Sequence, residues 1–115
     1  MAKAWIHARS SARKYGGKPE DYLKIHEKMD ESKSAFADIR HRVLYHHSLG
    51  PKMMEDVFGV TIKNSDGKEV VVRDVAEQHI LEDIGYIPSF SEYCEAMEIK
   101  PFMSGMKKVK FKLVD

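Results

Sequence analysis

The chain has one cysteine, Cys94, among its 115 residues, which excludes an internal disulfide. Such scarcity is typical of proteins that reside in a reducing cytoplasm, and we expect a cytoplasmic location. The sequence also lacks any uncharged apolar run of about 18 residues, and its first residues lack the apolar stretch of a signal peptide. It therefore predicts a protein that neither spans a membrane nor is exported.

An excess of charge of one sign is also missing, since 19 Lys and Arg residues face 18 Asp and Glu residues. Nucleic-acid-binding domains are usually strongly basic, so the composition does not favour that class. Apolar residues make up 43% of the chain and aromatic residues 10%, which is enough to build a buried core. With no internal repeat, the length predicts a single domain over residues 1–115.

Apolar residues at helical spacing predict helices over about residues 4–15, 20–33, 34–48 and 51–58. The first helix ends at Gly16, because glycine accepts the left-handed conformation that follows many helices. Pro19 suits the first turn of the second helix. In the third helix, Phe36, Ile39 and Val43 form the stripe that we expect to face the core.

The clearest local signal is a β-hairpin. Residues 60–63 and 69–72 are rich in β-branched side chains, and between them Asp66 and Gly67 supply the positive-φ positions of a tight turn. Near the C-terminus, residues 108–113 alternate between lysine and apolar side chains. This alternation predicts an edge strand whose lysines oppose aggregation.

Two capping boxes predict the remaining helices. Asp74, with a glutamate three residues later, begins a helix that ends near Gly85. Ser89 with Glu92 begins a last short helix through about residue 97. The sequence therefore predicts a mainly helical α+β domain: a small helical bundle with one β-hairpin and a C-terminal edge strand.

Six histidines are many for a chain of this length, and they come from four separate segments. Neutral imidazoles together with carboxylates are the ligands preferred by zinc and by other divalent transition ions. We therefore predict that histidines from separate segments converge on a divalent metal ion such as Zn²⁺ or Mn²⁺. The candidate metal ligands are His7, His26, His46, His47, His79 and Asp30.

The third predicted helix gives its polar residues different directions. At about 100° per residue, Arg40 and His47 point inward with the apolar stripe, His46 lies on its flank and His41 points to solvent. We therefore prefer His47 as a metal ligand, together with His26 and His79. The alternative interpretation is that each of these histidines forms only structural hydrogen bonds.

Carboxylates follow one of these histidines at helical spacing. His79, Glu82 and Asp83 share one side of the helix after the hairpin, which either lines a cleft or faces water. Glu82 and Asp83 are the candidate catalytic residues, since either could hold a metal ion or the attacking water.

Four cationic side chains are candidates for binding an anionic substrate: Lys33, Arg40, Arg42 and Arg73. A guanidinium group binds a phosphate or carboxylate through two parallel hydrogen bonds. The alternative is a solvated helix face, with Arg40 paired to Asp30 or Glu77.

Several strings of the sequence together resemble a family of small uncharacterised proteins of bacteria and their phages. These strings are HARSSARKYGG (7–17), RHR (40–42) with HH (46–47), FGVTIKNSDG (58–67) and EQHILEDIGYIP (77–88). The resemblance covers about residues 5–103 and leaves the lysine-rich segment 104–115 outside. It implies a single intracellular domain, but it implies no activity. It also implies that the following residues belong to the family pattern: His7, His26, Arg40, His41, Arg42, His46, His47, His79, Glu82 and Asp83.

These residues support three hypotheses. The first is a metal-dependent phosphohydrolase, whose polar pocket binds a divalent ion and hydrolyses a phosphorylated small molecule such as a nucleotide. The second is a non-catalytic binding protein, such as a phage or host accessory factor, that captures a small anionic ligand or a protein partner. The third is an assembly protein whose histidines are structural. In each case we expect a homodimer to pair through the hairpin or the terminal strand.

Overall fold

A computed structural model describes residues 2–105. This part of the chain is a small mainly helical α+β domain, which confirms the predicted fold class. Its elements are α1 (Ala2–Tyr15), α2 (Leu23–Met29), α3 (Gly50–Phe58), β1 (Thr61–Lys63), β2 (Glu69–Val71), α4 (Val72–Ile84) and α5 (Phe90–Glu95). Short 3₁₀ turns lie at Pro19–Asp21, Glu31–Ser34, Ile39–Val43 and Pro101–Ser104. Among the described residues, no helix is both long enough and apolar enough to cross a membrane.

The hydrophobic core lies between α2, α3 and α4. Tyr22, which directly precedes α2, and Ile25 and Met29 of α2 form a buried stripe at helical spacing. They pack with Met54 of α3 and Ile80 of α4, which are also fully buried. Burying one such side chain contributes about 1.5–3 kcal/mol, so this cluster accounts for much of the stability of the domain.

The hairpin forms where the sequence predicts it. The strands are antiparallel, with Ile62 opposite Val70, and Gly67 in the turn has φ +80°. A two-stranded sheet is only marginally stable by itself. Here the turn is fastened to the start of α2, because the Asp21 carboxylate accepts hydrogen bonds from the backbone N–H and the hydroxyl of Ser65.

The helix predicted over residues 34–48 does not form. In its place the chain makes short turns, including the 3₁₀ turn Ile39–Val43. Asp38 is in extended backbone, and its carboxylate accepts a hydrogen bond from the backbone N–H two residues later. The Ser32 hydroxyl donates to the carbonyl of His41 at 2.7 Å. These side-chain bonds to the backbone replace helical hydrogen bonds, which is a known tendency of aspartate and serine.

The side-chain directions predicted from that helix are consequently wrong. Phe36 and Ile39, expected in the core, are 45% and 68% exposed. Arg40, expected to point inward, has a 71% exposed side chain. His41, expected to face solvent, is buried.

The helix boundaries in the second half are closer to prediction. Asp74 lies in the first turn of α4 and is not its cap, because the N-cap is Val71, three residues earlier than predicted. Gly85 ends α4 with φ +97°, as expected. Ser89 and Glu92 form the predicted capping box of α5. The predicted strand over residues 108–113 lies outside the described residues.

Candidate metal centre

All six histidines are buried, and five of them meet where four segments of the chain come together. The ring centroids of neighbouring histidines in this cluster lie 4.0–5.7 Å apart. The prediction that imidazoles from separate segments converge is therefore confirmed. The five are His7 from α1, His26 from α2, His41 and His46 from the segment before α3, and His79 from α4.

Four residues of this cluster form a group that could hold a metal ion: Asp30, His46, His79 and Asp83. His46 Nε2 lies 3.0 Å from Asp83 Oδ2 and 3.5 Å from Asp30 Oδ1. His79 Nε2 lies 3.3 Å from each of the same two oxygens. Ligand atoms bound tetrahedrally at zinc distances are separated by about 3.3 Å, so the four contacts match four of the six edges of such a site. All four ligand atoms lie within 4.8 Å of one another.

The carboxylates of this group raise the pKa of His79. Burial alone would lower the pKa of His79, but its hydrogen bonds to Asp30 and Asp83 outweigh burial and raise the pKa. Burial favours the neutral form of both carboxyl groups as well. Hydrogen bonds from the surrounding histidines nevertheless lower the pKa of Asp30 to about 2 and hold that of Asp83 well below its usual range. A bound divalent cation would displace any hydrogen on His79 Nε2, because metal ligands bind in their deprotonated forms.

His26 stands behind His79 and is not a member of the metal group. Its Nδ1 is 2.8 Å from Nδ1 of His79, and its Nε2 is 2.8 Å from the Ser11 hydroxyl oxygen. Burial, together with the neighbouring His79 and His7, lowers the pKa of His26 to about 2. His26 is therefore a neutral ring with one N–H and one lone pair.

His7 and Glu82 lie on the far side of Asp83. His7 Nε2 contacts Asp83 Oδ1 at 3.1 Å, and His7 Nδ1 contacts Glu82 at 2.7 Å. The Glu82 carboxylate also accepts hydrogen bonds from Ser10 and Gln78. Burial raises the pKa of Glu82, but these hydrogen bonds outweigh it and lower the pKa. Glu82 therefore lies outside the metal group and holds His7, Ser10 and Gln78 in place through hydrogen bonds. Asp83, in contrast, is a member of the metal group.

His47 is buried but lies outside the cluster. Its Nε2–H donates to the carbonyl of Leu44 at 2.9 Å, and its Nδ1 accepts from the backbone N–H of Leu49. Its ring packs against Phe90 of α5 at 4.8 Å between centroids. Both ring nitrogens are thus engaged in fixing the loop before α3, and the structure does not bring His47 to the metal group.

A cavity of 560 Å³ opens beside the metal group. Asp30 and Asp83 form part of its wall, together with Lys33, Arg40 and Arg42. The cavity therefore combines two of the metal-group carboxylates with three of the four cations that the sequence suggested for binding an anion.

The candidate cationic side chains differ in their ion pairs and hydrogen bonds. Arg40 is paired with Asp38 at 2.6 Å at the exposed rim of the cavity. Arg73 pairs with Glu55 and does not line the cavity. The Nε of Arg42 is buried, and among residues 2–105 it has no hydrogen-bond partner. Arg42 thus lines the cavity, while its Nε lies behind the cavity surface.

A family model described as a domain of unknown function, DUF6915, matches residues 2–103. The chain belongs to the DUF6915 family. This finding confirms the resemblance to an uncharacterised family. No curated protein and no solved structure matches the chain. The matched region of the DUF6915 domain contains all four residues of the metal group.

Two polar residues of the DUF6915 domain that support the cluster were not among the candidates suggested by the sequence. Ser11 and Gln78 are both buried, and the Ser11 hydroxyl donates to Gln78 Oε1 at 2.6 Å. The available signal was helical spacing, since Ser11 lies four residues after His7 and Gln78 four residues before Glu82. Each pair therefore lies on one helix face, next to a residue that the sequence did suggest.

Proposed function

We propose that this DUF6915 domain binds one divalent metal ion through Asp30, His46, His79 and Asp83. The observation that carries the proposal is the set of four nitrogen–oxygen distances of 3.0–3.5 Å within a buried group. Two imidazoles and two carboxylates suit Zn²⁺ or Mn²⁺. The clustering of two carboxylates beside buried imidazoles also supplies the negative charge that a cation needs.

We further propose that the domain is a hydrolase that acts on a phosphorylated small molecule. With four protein ligands, hydrolysis would need a fifth coordination position, at which the ion would lower the pKa of a bound water toward about 7 and polarise a phosphoryl oxygen. Lys33 and Arg42 lie on the wall of the adjoining cavity, where they can bind the remaining phosphate oxygens. Its volume of 560 Å³ falls within the range of pockets that bind small molecules.

The metal proposal is tested by elemental analysis of protein purified without an affinity tag. We expect about one equivalent of Zn²⁺ or Mn²⁺ per chain after reconstitution and dialysis, and a raised melting temperature that chelator reverses. Less than about a tenth of an equivalent would contradict the proposal, because a group built to this geometry binds zinc tightly.

The hydrolase proposal is tested with Arg42→Ala in the metal-loaded protein, against a panel of nucleotides and sugar phosphates. Loss of a charge-assisted hydrogen bond costs about 1.5–3 kcal/mol, so we expect kcat/KM to fall about 10- to 100-fold. Arg73→Ala is the matched control, because it removes the same group from outside the cavity and should leave kcat/KM unchanged. Intact ligand recovered with a raised melting temperature would instead support a non-catalytic binding protein.

A further inference from the structure

Both ring nitrogens of His26 are engaged in hydrogen bonds, so neither is free to bind a metal ion. Its Nδ1 faces Nδ1 of His79 and its Nε2 faces the hydroxyl of Ser11, each at 2.8 Å. Two N–H groups cannot point at each other across 2.8 Å, so one of the two Nδ1 atoms must carry a lone pair. Which one it is decides where His79 carries its own hydrogen.

The far end of this chain of hydrogen bonds fixes the answer. The amide nitrogen of Gln78 contacts only acceptors, namely the carbonyl of His7 at 3.1 Å and a Glu82 oxygen at 3.0 Å. Gln78 Oε1 therefore faces Ser11, and an amide oxygen can only accept. At 2.6 Å from that oxygen, the Ser11 hydroxyl has to donate its hydrogen to Gln78.

The remaining hydrogens follow in sequence. Because Ser11 donates to Gln78, its oxygen accepts from His26 Nε2–H. His26 is fully buried and, in the part of the chain that the structure describes, neither of its ring nitrogens contacts a carboxylate, so it carries this one hydrogen only. The lone pair of His26 is then on Nδ1, where it accepts from Nδ1–H of His79. Because Nδ1 keeps its hydrogen, any proton that His79 loses leaves Nε2, the atom that lies 3.3 Å from Asp30 and Asp83, and the lone pair then lies on Nε2.

We infer that His26 is a positioning residue that, through Ser11 and Gln78, holds His79 in the tautomer able to bind a divalent metal ion through Nε2. The inference rests on the proposed metal site and assigns a role that the sequence did not suggest, since His26 was predicted as a ligand. A second histidine that orients the first replaces the carboxylate or carbonyl that usually does so. His46 has no such support, because its buried Nδ1 has no hydrogen-bond partner among the described residues.

The test is the affinity of the full chain for Co²⁺, measured from the visible absorption of the bound ion, in His26→Leu and Ser11→Ala. Loss of an orienting partner typically weakens metal binding 10- to 100-fold, so we expect the Co²⁺ dissociation constant of His26→Leu to rise by about that factor. We expect a smaller rise for Ser11→Ala, which keeps the His26 ring in place. Asn64→Leu is the control, since it removes a buried polar side chain of the hairpin turn, away from the cluster, and should lower the melting temperature without changing Co²⁺ affinity.

Nitrogen-15 NMR of labelled histidine gives a second readout that a merely structural role would not move. In the wild type, neutral His79 should carry its hydrogen on Nδ1, and in Ser11→Ala it should become a mixture of the two tautomers. If the wild type binds Co²⁺ and both variants bind it equally well, the relay is refuted and the metal site stands. If the wild type does not bind Co²⁺, the proposed metal site fails, and an Nε2–H tautomer of His79 would overturn the relay as well.

Discussion

Replacing Asp83 with asparagine is expected to weaken divalent-metal binding by at least about 100-fold. This exceeds the loss of about 10- to 100-fold that is typical of residues that only orient a metal ligand. Asp83 Oδ2 contacts both imidazoles of the metal group, and its side chain is only 3% exposed. The amide of asparagine has nearly the same shape, but it removes one of the two negative charges of the group. It also places a poor ligand where the metal needs an anionic oxygen.

The measurement is the Zn²⁺ or Mn²⁺ stoichiometry and affinity of Asp83→Asn, together with its melting temperature. Asp56→Asn is the matched control, because it makes the same chemical change at an exposed residue that, within residues 2–105, forms an ion pair with Lys52 on the same helix and with no other residue. Should Asp83→Asn not fold, Asp30→Asn tests the second carboxylate of the group. A full equivalent of metal retained by the Asp83 and Asp30 variants would show that these carboxylates are not ligands.

The second large effect is expected on stability, from Gly50→Ala. A Cβ atom at Gly50 would lie 1.8 Å from the carbonyl oxygen of Tyr45, which is far inside any contact that proteins show. The backbone there has little freedom to move, because Tyr45 O accepts from the N–H of His47, and Gly50 N–H donates to the carbonyl of His47. We expect the free energy of unfolding to fall by about 4 kcal/mol or more, a loss that single substitutions cause only when they create severe strain or a comparable defect.

Urea unfolding measures this loss, and Gly85→Ala is the comparison. Gly85 has φ +97°, but an added Cβ would meet nothing within 4 Å, so the cost there is about 1–2 kcal/mol of backbone strain alone. We also expect metal binding to weaken in Gly50→Ala, because the displaced carbonyl belongs to the residue before His46. Equal destabilisation of the two variants would mean that the clash is relieved by a small shift.

Those parts of the fold that depend on neighbouring residues could be predicted from the sequence. The turn at Gly67 and the helix ends at Gly16 and Gly85 need a positive φ that glycine adopts easily, and each is found with it. The capping box of Ser89 and Glu92 likewise needs only residues three apart. Such signals survive folding because no distant contact competes with them.

The segment before α3 shows where this reasoning fails. Phe36, Ile39 and Val43 have helical spacing, but the backbone between them is not an α-helix. The Ser32 hydroxyl donates to the carbonyl of His41, and the Asp38 carboxylate accepts from the N–H of Arg40, in place of helical hydrogen bonds. Side-chain directions predicted from a helix are wrong where that helix does not form. The exposed Arg40 and the buried His41, noted above, are the result.

The candidate site was predictable as a type of chemistry but not as an arrangement. Histidines and carboxylates on several segments predicted a shared polar centre, and the structure brings five imidazoles together. Which of them contact each other depends on tertiary packing. His26 meets His79 across 53 residues of chain, and Ser11 meets Gln78 across 67. Periodicity along one helix carries no information about such pairs.

The four residues of the metal group come from three separate stretches, and only His79 and Asp83 share a helix. An unfolded chain would have to close loops of about 16 residues, from Asp30 to His46, and about 33 residues, from His46 to His79, to bring the same atoms together, which is entropically costly. The ion therefore has no comparable site in the denatured ensemble. Its binding free energy would then be added almost in full to the folding equilibrium, and metal supply would set how long each copy of the chain survives unfolding and proteolysis.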